Sequence, residues 1–314
     1  MNARAGVIDV GSNSIKALVA ESAGGRFGLK TVFEQALDVR ISQGIGGTPP
    51  MLKPSRIAAG VDVVVQLWQN CHAQGPLQDF RIVATSAVRS AANGQSFLDA
   101  VEAATGCRPV ILTGAEEADG IANGIRTDPS IASQLDDFTV FDLGGGSLEL
   151  IRFVRNGVAN RTSLPLGSVR LTEKFISNPV LPVPAEEQRV LTEHVKSAIQ
   201  STGFPLKPPL VGCSGGLAVL RRVMEGNKGK LLEDVSASIP EDYLKRSCQQ
   251  IVSQGLDERI GKTGLPADRA DIFPAAMLTF VTILDLAGAH EVIHSLHNLR
   301  YGIAWALLSQ HGGA

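Results

Sequence analysis

Asp9 and Asp142 each end a strongly apolar run, and each is followed by the same short pattern: Asp9-Val10-Gly11-Ser12-Asn13-Ser14 and Asp142-Leu143-Gly144-Gly145-Gly146-Ser147. Glycine lets a backbone take positive φ and bring its N–H groups close to an anion. Ser and Asn side chains add further donors, and a carboxylate at the strand end can hold a cation against the same anion. The chemistry suggested is therefore phosphate binding with a metal position. One isolated Gly-rich hairpin is more often a plain turn. Two copies in matching context favour the functional reading and suggest one active cleft between two similar halves.

The elements around these turns are consistent with that duplication. In each copy an apolar strand meets the turn and returns as a second strand, over residues 15–21 and 148–154. β-patterned segments follow at 28–33 and 37–41, then a Gly- and Pro-rich loop over 44–54. A helix is expected over 55–71, with Ile57, Val61, Val64 and Trp68 as its apolar stripe. A short strand at 81–84, a helix at 95–105 and a strand at 109–112 continue the first half. In the second half the spacing predicts a strand near 159–164, helices at 168–176 and 185–200, and a strand at 210–211. That strand leads through Gly212-Cys213-Ser214-Gly215-Gly216 into a helix over 217–224, either an anion-binding helix start or an ordinary strand-to-helix turn. A helix over 272–288, a strand near 292–294 and a last helix over 299–308 complete an α/β reading, with helices packed on mixed sheets. Hinge-like junctions near 125–129 and 295–300 divide the chain. The first lobe takes 1–125 plus about 299–314, and the second takes 126–298.

Composition narrows the classes. With 314 residues, 44% hydrophobic and 19% charged, the chain is long enough for two cores and too apolar for extended disorder. A net charge of −2 gives no general attraction to nucleic acid or anionic membrane, so a polyanion must meet a local basic patch. No signal-peptide pattern precedes the first strand, and no apolar segment spans a bilayer. Cys71, Cys107, Cys213 and Cys248 are scattered, as expected for reduced residues of a cytoplasmic protein. His290, His294 and His297 lack zinc-type spacing.

Further segments carry a resemblance. The duplicated hairpin is similar to the phosphate loops of the acetate and sugar kinase, heat-shock chaperone and actin superfamily. Val83-Ala84-Thr85-Ser86-Ala87-Val88-Arg89, Thr113-Gly114-Ala115-Glu116-Glu117-Ala118 and the segments 141–150, 163–172 and 269–275 arrive in the order of the exopolyphosphatase and guanosine pentaphosphate phosphohydrolase (Ppx/GppA) family. The resemblance runs nearly the whole chain and implies two actin-like (ribonuclease H-like) lobes with mixed sheets flanked by helices. It is to the short form, lacking the helical C-terminal extension of longer members. Departures include Thr113 for a usual Ser, Lys16 for a usual Arg, Tyr301 for a usual Glu and Ala276 for a common Gly.

The resemblance also implies roles. Glu117 aligns with the general base; on spacing alone Glu116 would serve as well. Asp142 and Glu149, on two arms of one hairpin, offer hard oxygen ligands suited to Mg²⁺, with Asp9 a further metal position. Gly11, Ser12, Asn13, Ser14, Lys16, Arg89, Gly144, Gly145, Gly146 and Ser147 are expected on substrate phosphate, with Arg40 and Arg269 as second-rank candidates. The expected activity is hydrolysis of terminal phosphate from inorganic polyphosphate, with guanosine pentaphosphate as the alternative substrate. A small-molecule kinase and a non-catalytic phosphate sensor are the more distant readings. A cytoplasmic monomer or homodimer with no nucleic-acid or membrane partner is expected.

Overall fold

The computed structural model describes residues 3–25, 27–132, 135–155, 157–224 and 229–311. The chain falls into two compact units, Met1–Gln134 with His297–Ala314, and Leu135–Leu296.

The first unit runs β1 (Arg4–Val10), β2 (Ser14–Ser22), β3 (Leu29–Asp38), α1 (Pro54–His72), β4 (Asp79–Ala84), α2 (Ser86–Ser90), α3 (Gly94–Thr105), β5 (Val110–Ile111), α4 (Gly114–Arg126) and α5 (Pro129–Ala132). The second runs β6 (Phe138–Leu143), β7 (Leu148–Val154), β8 (Gly157–Leu164), α6 (Ser168–Phe175), α7 (Ala185–Ser201), β9 (Leu210–Gly212), α8 (Gly215–Val223), a 3₁₀ turn (Leu232–Asp234), β10 (Ser238–Pro240), α9 (Glu241–Ser253), α10 (Leu256–Gly261), α11 (Phe273–Ala287) and β11 (Glu291–His294). A last helix, α12 (Leu299–His311), belongs to the first unit.

The sheets share one plan. Their strand orders are β3-β2-β1-β4-β5 and β10-β11-β9-β6-β7-β8. In each, a three-stranded antiparallel meander is extended by parallel strands, β4 and β5 beside β1, and β9 and β11 beside β6. One face of the first sheet, with Ile8, Val10, Ile15 and Ala17, packs on α1 and α3 through Val64, Leu67, Phe97 and Val101. α12 lies against β1, β2 and α4. In the second unit Phe141, Leu143, Leu148 and Leu150 pack on α7, α9 and α11.

Three local expectations are corrected. The two β segments at 28–33 and 37–41 are one strand, β3, which ends at Asp38. It is the sheet's edge, so polar residues such as Glu34 and Gln35 interrupt the apolar pattern without breaking the ladder. The deepest line of α1 is Gly60, Val64, Leu67 and Cys71, while Ile57, Val61 and Trp68 flank it. Gly60 is the reason: a Cβ there would sit 3.0 Å from the Phe97 ring, so the helix comes closest to α3 on that line. Finally, α9 and α10 fill a stretch left without elements. Leu244, Cys248, Ile251 and Val252, with Glu241 and Asp242 in the first turn, are the amphipathic signature that identifies α9. Among the described residues no helix is long and apolar enough to cross a membrane.

Candidate active site

In the first unit, β1 and β2 meet in a tight turn closed by Gly11 N–H donating to Ser14 O at 3.2 Å. Ser12, Asn13 and Ser14 are buried there. The segment after β3 braces this turn from outside. Val39 N–H and Arg40 N–H both donate to Asn13 O, and the Ser42 N–H and hydroxyl both donate to Ser12 O. Asn13 Nδ2 donates to Asp38 Oδ1 at 2.9 Å. Arg40 takes a left-handed backbone, φ 47°, in making this brace. For a non-glycine residue that conformation is uncommon and concentrates at functional loops.

Asp9 stands opposite Lys16 in the β1–β2 ladder. Its Oδ1 is buried with no hydrogen-bond partner among the described residues, and so is Asn13 Oδ1. Burial pushes the Asp9 carboxyl above its ordinary pKa, while Lys16 and Arg300 pull it back. Two buried acceptor oxygens without donors beside one turn are what a bound cation or ordered water would satisfy.

The structure separates Glu116 from Glu117. Thr113 caps α4, its hydroxyl accepting from Glu116 N–H at 3.2 Å, while the Glu116 carboxylate accepts from Thr113 N–H and Oγ1 at 2.8 Å each. This capping box spends Glu116 on the helix end and holds its pKa down. Glu117, 7% exposed, points elsewhere: Arg89 Nη1 donates to its Oε2 at 2.9 Å and to Leu112 O at 2.6 Å. Arg89 comes from α2, directly after β4, so the chain end of a parallel strand delivers the cation to the Glu117 carboxylate.

The second unit repeats the turn, with Gly144 N–H donating to Ser147 O at 3.0 Å. Its brace is α6. Ser168 N–H donates to Gly144 O, Val169 N–H to Gly145 O, and Arg170 Nε to Gly146 O. Gly167 makes this approach possible, because a Cβ there would lie 2.2 Å from Gly145 C and Gly146 N. Asp142 and Glu149 are directly opposite in the β6–β7 register. Two like charges in that relation repel unless a cation lies with them. Glu149 is 2% exposed, and Ser163 Oγ donates to its Oε1 at 2.7 Å. Among the described residues no three His, Cys, Asp or Glu side chains form a ready-made metal set. The donor chemistry still fits Mg²⁺, which is usually held by one or two carboxylates together with substrate phosphates and water.

Arg269 lies in the turn before α11, and the fully buried Arg259 ties that turn, through Ala270 O, to Pro179 O of the segment after α6. The histidines serve separate local contacts: His290 with Glu241, His294 with Arg221, His297 with Thr127. α8 starts at Gly215, inside the Gly212–Gly216 segment, with Ser214 as its N-cap residue and no side-chain cap bond. Ser163, Gly167, Ser168 and Arg170 lie in the 163–172 motif without an individual expectation: Ser163 and Arg170 act through side chains, Ser168 through both its N–H and its hydroxyl, and Gly167 by lacking a Cβ, and only the partners they find in the fold reveal these contacts.

Each unit thus carries a braced turn of one design with an aspartate ahead of it, and the first adds a buried glutamate held by arginine. The profile of the Ppx/GppA phosphatase family matches residues 18–311. The chain belongs to the Ppx/GppA phosphatase family. One relative within it, Exopolyphosphatase 2 of Mycobacterium tuberculosis (strain ATCC 25618 / H37Rv), is 28% identical over 322 residues, covering 97% of this chain and 98% of the relative. The Guanosine-5'-triphosphate,3'-diphosphate pyrophosphatase of Aeromonas hydrophila subsp. hydrophila is 26% identical over 97% of this chain, which spans 59% of that longer protein. Among solved structures, an exopolyphosphatase from Cytophaga hutchinsonii superposes with a TM-score of 0.86 at 22% identity, over 98% of both chains. The Aquifex aeolicus Ppx/GppA family member gives 0.79 at 22% identity, over 100% of both. The fold is the actin-like α/β fold of these phosphatases.

Proposed function

We propose that this phosphatase hydrolyses the terminal phosphoanhydride bond of inorganic polyphosphate. The observation that carries the proposal is the buried Glu117 carboxylate held by Arg89 at 2.9 Å at the start of a capped helix. Glu117 takes a proton from the attacking water as the new P–O bond forms. The bridging P–O bond breaks, orthophosphate is released, and the shortened chain leaves as its oxyanion. Arg89 keeps the base oriented and offers a guanidinium to phosphate oxygens. Gly11, Ser12, Asn13 and Ser14 of one turn, and Gly144, Gly145, Gly146 and Ser147 of the other, supply donors to phosphate, with Lys16 and Arg269 as added cations. Asp142 and Glu149 in the second unit, and Asp9 in the first, are the residues that would hold Mg²⁺, which supplies charge neutralisation on the phosphate oxygens when bound. The enzyme works in the cytoplasm as a monomer or homodimer, without nucleic acid or membrane.

Guanosine pentaphosphate is the second reading, supported by the name of the Aeromonas relative and by the shared bond type. Steady-state kcat/KM for short polyphosphate, long polyphosphate and guanosine pentaphosphate on one preparation decides between them. Glu117→Gln should bind polyphosphate yet release orthophosphate at least about a hundredfold more slowly, the scale of a lost general base. Near-normal turnover by that variant would remove Glu117 from the mechanism.

A further inference from the structure

Between Asp38 and Asp62 the sequence contains Arg40, Lys53 and Arg56 and no acidic residue. The fold gathers this stretch beside the first phosphate turn. Arg40 N–H and Val39 N–H donate to Asn13 O, and Arg56 Nη1 donates to Val39 O at 3.4 Å. The Lys53 ammonium lies over Gly44, where a Cβ would come within 2.5 Å of Nζ. The same segment is tied to the end of the Arg89 helix: Ala92 N–H donates to Pro50 O, and Asn93 exchanges two hydrogen bonds with the Leu52 backbone.

Several exposed cations elsewhere are neutralised by carboxylates: Arg108 by Asp99 and Glu102, Arg189 by Glu186, Lys245 by Glu241 and Asp285, Arg246 by Asp242, Lys262 by Glu258. Lys53, which is exposed, and Arg56, which is half-buried, have no carboxylate partner among the described residues. Lys53 is also the N-cap residue of α1, and the first turn of that helix has no acidic residue. Cations at the positive end of a helix are unfavourable by themselves. The arrangement becomes favourable when an extended anion lies across it.

We propose that Arg40, Lys53 and Arg56 form a basic ledge that binds internal phosphates of a linear polyphosphate, beyond the unit being cleaved. This rests on the polyphosphate reading above and adds to it a preference for chain length. A tripolyphosphate engages the turn and its catalytic groups; a long chain also covers the ledge. With a net charge of −2 on the whole protein, this local patch supplies the attraction that the global charge lacks.

The test is the double variant Lys53→Gln/Arg56→Gln, with tripolyphosphate and long-chain polyphosphate as the two substrates. The expected result is a KM for the long chain raised roughly tenfold, the scale of two exposed ion pairs, with kcat and the tripolyphosphate kcat/KM within about twofold of wild type. Lys53→Arg/Arg56→Lys should restore the long-chain KM, and the melting midpoint of the Gln variant should match wild type. Equal loss on both lengths, or no loss on the long chain, overturns the ledge. Absence of turnover on any polyphosphate by the wild-type enzyme would instead sink the substrate assignment. Equilibrium binding of end-labelled long-chain polyphosphate, which needs no turnover, then decides the ledge: equal affinity in wild type and Gln variant overturns it.

Discussion

Gly302→Ala is the sharpest test of how the proposed base, Glu117, is held. Gly302 of α12 crosses α4 so closely that a Cβ there would lie 1.8 Å from Gly120 O and 2.7 Å from Gly124 N. An ordinary contact needs about 3.4 Å, so the helices must part by about 1.6 Å on that line. Gly120 lies one turn beyond Glu117, and that shift reaches the carboxylate directly. Overpacking of this kind costs about 1–3 kcal/mol, and the better helix propensity of Ala offsets about 1 kcal/mol of it. The net cost of up to about 2 kcal/mol should lower the melting midpoint by no more than about 8 °C. A misplacement of about 1 Å at a reacting group costs on the order of a hundredfold in rate, so kcat for phosphate release should fall far more than stability does. Two neighbours calibrate the argument. Gly124→Ala meets the backbone oxygen of Asn298 at 2.1 Å and should be nearly as damaging, whereas Gly120→Ala meets only a Leu299 methyl at 2.4 Å, which can rotate away. Wild-type kcat and an unchanged melting midpoint for Gly302→Ala would refute the reasoning.

Arg89→Met should lower kcat, and in a Glu117→Gln background the same change should do much less, because Arg89 acts partly through the carboxylate it holds; fully multiplicative losses in the double-mutant cycle would disconnect the two. Asp142→Asn should shift the Mg²⁺ titration of activity to higher concentration, and an identical titration would exclude Asp142 as a ligand. Asp9→Asn should abolish most activity yet raise thermal stability at pH 7 in EDTA. The Asp9 pKa is raised in the folded protein, so its unfavourable contribution is absent below the ordinary carboxylate value of 3.8 and grows as pH rises through the folded value. Melting midpoints of both proteins between pH 4 and pH 7 should therefore diverge with rising pH, and parallel curves would contradict the assigned burial cost.

Much of the architecture is legible because it depends on local pattern. The duplicated turns, the strands feeding them and the amphipathic helices follow from periodicity and glycine placement. Other features depend on distant partners. β3 reads as two pieces because Glu34 interrupts its apolar run, and what accommodates Glu34 is Arg300, from the far end of the sequence, at 2.6 Å. Glu116 and Glu117 are equivalent by spacing. Only the capping box, a contact of Glu116 with Thr113, separates the exposed partner from the buried one. The braces on the two turns largely escape a residue-level reading, since Val39, Arg40 and Val169 act through backbone N–H groups that every non-proline residue has.

The first unit is assembled from residues that lie on both sides of the second in the sequence, and α12 is the layer that arrives last. During synthesis the β1–β5 sheet and α4 emerge long before the helix that covers them. Leu135–Leu296 has its own sheet and core, and so can collapse while the earlier half waits with one face open to solvent. The helix that carries Glu117 is thus covered only after the whole of Leu135–Leu296 has been made. A product that stalls just after Leu296 would carry both braced turns and still lack the strut that packs beside Glu117.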